Sequence, residues 1–224
     1  MLDSFPEIIR WGDECWAWWA TDTEPDDFVA AIESVNEGAE RSSLISRLRE
    51  THPPGRQHLD AYDDRLLDVF TEAEAFAWVR EISSLGQPMF VAGEGAPDLR
   101  AGQHWIEAKQ VWKSVEERAE TKLLLAEAAD LFPVLRGPQT LQQPEAGLLN
   151  KFEDKLQNAI AKWERQNRSG SLTVFYRMNG LDFGVSKRSA LRLLDDWARR
   201  SEERAGVSIV ICYGSDWQAP IYSS

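Results

Sequence analysis

The stretch Pro97-Asp98-Leu99-Arg100-Ala101-Gly102-Gln103-His104-Trp105-Ile106-Glu107-Ala108-Lys109-Gln110-Val111-Trp112 decides how the chain is read. From His104 onward, Trp105, Glu107, Lys109 and Val111 alternate with Ile106, Ala108, Gln110 and Trp112, the two-residue period of a strand. Side chains two apart leave the same face, so Glu107 and Lys109 stand together, flanked by Trp105 and Val111. Those apolar neighbours argue against a freely solvated charged face, because unpaired charge is costly where burial begins. Asp98 to Ala101 reads as the preceding strand, which lets Asp98 reach the same face across a tight connection.

Working outward, Gly93-Glu94-Gly95 is a turn and Pro88 to Ala92 a short apolar strand. Before it, Thr71-Glu72-Ala73-Glu74 has capping-box spacing and predicts a helix that carries Phe76, Val79 and Ile82 and stops at Gly86. Downstream, Ser114 with Glu117 predicts a helix over Leu123 to Leu125, and a loop follows around Arg136-Gly137-Pro138. A longer helix, Leu148 to Arg168, places Leu149, Phe152, Leu156, Ile160 and Trp163 on one face. Leu172 to Met178 is a strand, Lys187 to Arg204 a helix and Val207 to Tyr213 a last strand. The order helix, three strands, helices, strand, helix, strand predicts an α/β fold with a mixed sheet.

At 224 residues the chain suits one decorated domain rather than two. Its first seventy residues read as short acidic helices, with Trp11, Cys15 and Trp18 at one-turn spacing and a helix start at Pro25-Asp26-Asp27. His52-Pro53-Pro54-Gly55 breaks that pattern, so residues 1–55 are expected to be a Trp-rich helical extension and 56–224 the main domain. Cys15 and Cys212 lack a nearby partner, which excludes a disulfide framework, and Met1 to Trp11 has neither a basic leader nor an apolar span. A cytoplasmic protein without a membrane segment is expected.

The net charge of −12 argues against simple phosphate binding by basic residues, yet it is unevenly placed. Residues 1–96 hold 20 acidic and 7 basic side chains, whereas residues 97–224 hold 17 acidic and 18 basic. The back half can therefore form local basic faces.

Phosphodiester hydrolysis needs a divalent cation to polarise phosphate and activate water, and hard cations take one or two carboxylates plus waters. Asp98 and Glu107 can supply these, the Ala108 carbonyl can add a ligand, and Lys109 can orient water or stabilise developing charge. Pro97-Asp98 followed by Glu107-Ala108-Lys109 resembles the signature of the PD-(D/E)xK nuclease superfamily. That resemblance implies a restriction-endonuclease-like αβββαβ core from about Thr71 to Cys212 with an N-terminal helical extension. It implies a Mg²⁺- or Mn²⁺-dependent nuclease acting on nucleic acid, DNA in the first instance. Asp98 and Glu107 would be metal ligands and Lys109 the catalytic lysine. By the same resemblance, an acid of the first helix joins the site, with Glu72 and Glu74 as candidates, although Glu74 also stands where it would cap Thr71. A homodimer would suit the cutting of two strands. The rival expectation is a catalytically silent protein of the same fold that serves in binding or assembly through its acidic front.

Other features read more plainly. Trp11, Trp16, Trp18 and Trp19 could stack bases, but among acids they fit a core or interface better. Lys151, Lys155, Lys162 and Arg165 could follow a phosphate backbone; with Glu153, Asp154 and Glu164 between them, a solvated helix face is expected. His52, His58 and His104 lack zinc spacing, and there is no phosphate-binding glycine loop.

Overall fold

The computed structural model describes residues 25–35, 38–51, 64–93, 95–111, 144–167, 169–178, 187–213 and 220–223. The expected helix at Ser114 and the Trp11, Trp16, Trp18 and Trp19 cluster lie outside these residues. The elements are α1 (Pro25–Ser34), α2 (Gly38–Thr51), α3 (Asp64–Glu81), β1 (Pro88–Phe90), β2 (Leu99–Ala101), β3 (His104–Val111), α4 (Pro144–Arg165), β4 (Ser171–Met178), α5 (Lys187–Ala205), β5 (Ser208–Tyr213) and β6 (Tyr222–Ser223).

One six-stranded sheet runs in the order β1-β2-β3-β4-β5-β6. β1, β2 and β3 form an antiparallel meander, β3, β4 and β5 are parallel, and β6 returns antiparallel to β5. The expected α/β class with a mixed sheet is therefore present. Parallel neighbours need crossovers, and α4 and α5 supply them. Gly102, at φ 60°, makes the two-residue turn between β2 and β3, a conformation that L side chains adopt at a cost.

Two apolar layers cover the sheet. On one face Leu99, Ala101, Ile106, Phe175, Val210 and Cys212 pack against α3, which is itself covered by Ile32 of α1, by Val35 just after it and by Leu44 and Leu48 of α2. The described part of the N-terminal extension thus shares its core with the main domain. On the other face Trp105, Val111, Val174, Tyr176, Ile209 and Ile211 pack against α4 and α5. In α4 the buried residues Leu148, Phe152, Leu156, Ala159 and Trp163 recur at helical spacing and make one apolar stripe. Phe152, Tyr176 and Trp197 meet at centroid distances of 4.9 to 5.8 Å, joining α4, β4 and α5.

Three expectations are corrected. α3 starts at Asp64, not Thr71, because Leu66, Leu67 and Phe70 carry its apolar period straight through. Thr71 is consequently no cap; its hydroxyl donates to the Leu67 carbonyl at 2.9 Å within the helix. The helix also ends at Glu81, before Gly86, with the Ile82 and Ser83 amides closing on the Trp78 carbonyl. No described helix is long and apolar enough to cross a membrane, and Cys212 is buried.

Candidate functional site

Antiparallel pairing of β2 with β3 stops at Leu99 and Ile106. β2 continues to bond β1 one residue further, Val91 N–H donating to the Asp98 carbonyl at 3.0 Å. The Asp98 side chain turns instead toward β3, where its Oδ2 accepts the Ala108 N–H at 2.9 Å. This bond fixes the carboxylate beside the middle of β3 and leaves Oδ1 for other partners.

Glu107 is fully buried, on the face shared with Trp105 and Val111. Lys109 Nζ lies 2.5 Å from Glu107 Oε1. A second ammonium, Lys162 of α4, lies 2.5 Å from the same Oε1 and 3.5 Å from Asp98 Oδ1. The structure thus brings Asp98, Glu107 and Lys109 together, with Lys162 between the two carboxylates. Lys162 was expected on a solvated face; its side chain is only 28% exposed.

Packing aims that lysine. The indoles of Trp105 on β3 and Trp163 on α4 both donate to the Ser169 carbonyl, at 2.7 and 3.3 Å. The last turns of α4 are thereby held against the start of β3. Gly95, at φ 77°, a backbone conformation that L side chains rarely adopt, stands where the β1–β2 connection passes the Arg165 side chain of α4.

The electrostatics follow from crowding like charges out of water. Burial, then the neighbouring Asp98 charge, push the Glu107 carboxyl up to about 7, although Lys109 and Lys162 pull the other way. Neither Glu107 oxygen has a well-directed hydrogen-bond partner among the described residues; its contacts to the two lysines are ion pairs. For Lys162, burial opposes the charged form, but Asp98 and Glu107 more than offset it and hold the ammonium above its ordinary value.

The two candidate acids of α3 part company. Glu72 pairs with Arg47 of α2 at 2.5 Å. Burial and then the Asp98 charge raise its carboxyl to about 8 despite Arg47, with Glu107 adding to the rise, so Glu72 belongs to the electrostatic margin of the site. Glu74 faces the core and lies 3.1 Å from Arg177 of β4, both nearly inaccessible. Arg47 also donates to the Val91 carbonyl at 2.9 Å and lies 5.2 Å from the centre of the Phe90 ring.

A cleft of about 600 Å³ opens beside Asp98 and Lys162, walled by Ser42, Ser46 and Arg47 of α2 and by the residues between β1 and β2. Reasoning from sequence missed Lys162 and Arg47. Lys151, Lys155 and Lys162 each precede a buried residue of the α4 stripe, which puts all three on one half-buried margin of the helix without singling out Lys162. Among the described residues no group of three or more His, Cys, Asp or Glu side chains is arranged to hold a metal. Asp98 and Glu107 make a two-carboxylate set, which is what a small hard cation requires when waters complete its shell. Comparison with protein-family models, with curated proteins and with solved structures gives no match to this chain.

Proposed function

We propose that this protein is a Mg²⁺- or Mn²⁺-dependent nuclease with a restriction-endonuclease-like core, hydrolysing phosphodiester bonds of DNA. One observation carries the reading. Asp98 and Glu107, brought from neighbouring strands, meet a single cationic group at the edge of an open cleft, with Lys109 on the same strand face. The order of elements, a helix before a β1-β2-β3 meander and then a helix before a parallel β4, supports the same reading.

In this reading Asp98 Oδ1 and the Glu107 carboxylate hold the cation, with the Ala108 carbonyl as a further ligand. The buried Glu107 oxygens, which lack well-directed hydrogen bonds, suit that role. When bound, the divalent ion polarises the phosphate and makes a nucleophile of water at neutral pH. Asp98 is positioned by the Ala108 N–H, so its free oxygen keeps one direction. Lys109 holds its charge beside Glu107, where it can orient the attacking oxygen and balance negative charge that builds as the phosphorus–oxygen bond breaks. Glu72, its carboxyl raised to about 8 by burial and then by the Asp98 charge, stands at the margin of this set and is paired with Arg47.

The test is calorimetry with Mn²⁺ together with cleavage of single- and double-stranded DNA and RNA. Metal binding and chelator-sensitive hydrolysis are expected. A normally folded protein that binds no divalent ion and cuts none of these substrates would instead be a binding or assembly module of the same fold.

A further inference from the structure

Lys162 holds the two oxygens that a divalent ion would need. Asp98 has one carboxylate oxygen committed to the Ala108 amide, leaving Oδ1, and that atom faces the Lys162 ammonium at 3.5 Å. Glu107 offers Oε1 to the same ammonium at 2.5 Å. A cation and Lys162 cannot occupy this position together. We propose that Lys162 is an internal counter-cation that competes with divalent metal and is drawn into the cleft by a phosphodiester, so that substrate and metal load together. The inference rests on the nuclease reading and names its regulation.

The geometry supplies both positions of the switch. The end of α4 is tied to β3 by the Trp105 and Trp163 indoles, which share the Ser169 carbonyl, so a movement of the charge falls to the Lys162 side chain rather than to the helix. The lysine stem is long and flexible, and Lys162 itself lines the cleft beside Asp98. With the ammonium between the carboxylates, two like charges in a poorly solvated place are neutralised without metal. With the ammonium in the cleft, positive charge stands where a phosphate entering toward Asp98 would lie, and the carboxylates are exposed to one another. Lys109 then neutralises only Glu107, and a divalent cation stabilises that second arrangement by serving both carboxylates. Metal and phosphodiester therefore favour the same lysine position, which makes their binding reciprocally cooperative. Charge balance favours the first arrangement when neither is present: Asp98 and Glu107 face Lys109 and Lys162, two acids against two bases.

The direct experiment compares wild type with Lys162→Met by Mn²⁺ calorimetry in the absence of nucleic acid. Removing a competing charge a few ångströms from the ligands should tighten Mn²⁺ binding on the order of tenfold or more. A short single-stranded DNA oligonucleotide in Ca²⁺ should raise the metal affinity of wild type and leave that of Lys162→Met unchanged. Equal or weaker Mn²⁺ binding by Lys162→Met, beside measurable binding by wild type, overturns the inference and leaves the nuclease reading standing. Failure of both proteins to bind Mn²⁺ overturns the nuclease reading and this inference with it. Should Lys162→Met not fold, wild type alone suffices: acylation of Lys162 by an amine-reactive reagent, read by mass spectrometry, should rise when Mn²⁺ is added. Labelling that stays constant or falls while Mn²⁺ binds would show that the lysine does not move.

Discussion

Two acid–base clusters lie against the same sheet and are built to different ends. Glu74 and Arg177 form one, sealed between α3 and β4, paired at 3.1 Å and both nearly inaccessible. Asp98, Glu107, Lys109 and Lys162 form the other, on the α4 side, where two carboxylates are crowded together and a cleft reaches the edge. Burial is common to both, so burial alone does not mark a functional site. The second cluster differs in having like charges held close and a route by which an ion or phosphate could relieve them. The first is closed to solvent; the second opens on a cleft.

The sharpest way to test that contrast is to remove one acid from each. Asp98→Ala should bring hydrolysis down on the order of a thousandfold or more, since it removes a proposed metal ligand worth several kcal/mol to the transition state, while the fold persists. A variant that keeps wild-type turnover would end the catalytic assignment. In the sealed cluster, Arg177→Met should instead lower stability by about 3–5 kcal/mol in urea unfolding, because Glu74 stays behind as a buried charge. Adding Glu74→Leu should recover most of that loss; no recovery would mean the pair is not the source.

Lys109→Ala separates roles within the open cluster. Mn²⁺ affinity should be kept or tightened, since an ammonium is no ligand and its charge 2.5 Å from Glu107 opposes the ion, while turnover falls about a hundredfold. Loss of metal binding as well would show that Lys109 holds Glu107 in place rather than acting on substrate.

The smallest expected effect is on stability against pH. Both Glu107, raised to about 7, and Glu72, raised to about 8, hold protons in the folded chain that an unfolded chain with ordinary carboxyls near 4.5 has released. Unfolding then releases protons, so stability from this source is complete below about pH 4.5 and is lost as pH rises toward about 8. In chelator, the thermal midpoint should be a few degrees higher at about pH 5.5 than at about pH 8. Substituting both glutamates by Gln should flatten the difference, and an unchanged slope would place the titrating groups elsewhere.

Much of the fold could be read from residue pattern. The alternation from Trp105 to Val111 specified β3, and the same periodicity placed Glu107 and Lys109 on one face because a strand leaves no other choice. α3 was begun too late because Thr71 and Glu74 imitate a capping box, and only packing reveals that Leu66, Leu67 and Phe70 belong to the same buried helix. Glu72 and Glu74 could not be told apart in advance. Two residues on a helix point about 200° apart, so one had to face the site and the other the core, but which did so depends on how α3 is rolled against the sheet. Lys162 was hidden for a related reason. A lysine beside an apolar stripe has the same sequence appearance whether it ends in water or in a pair of carboxylates.

The Asp98 bond to the Ala108 amide has a meaning for selection. A strand pair that continued past Leu99 and Ile106 would give that amide a backbone carbonyl and leave no place for the carboxylate. The sheet is left unfinished at one point, and that point is where the chemistry is proposed to be. Mutational screens scored on thermal stability alone should therefore favour apolar strand formers at position 98, Asp98→Val gaining about 0.5–2 kcal/mol, and should reward erasure of the site.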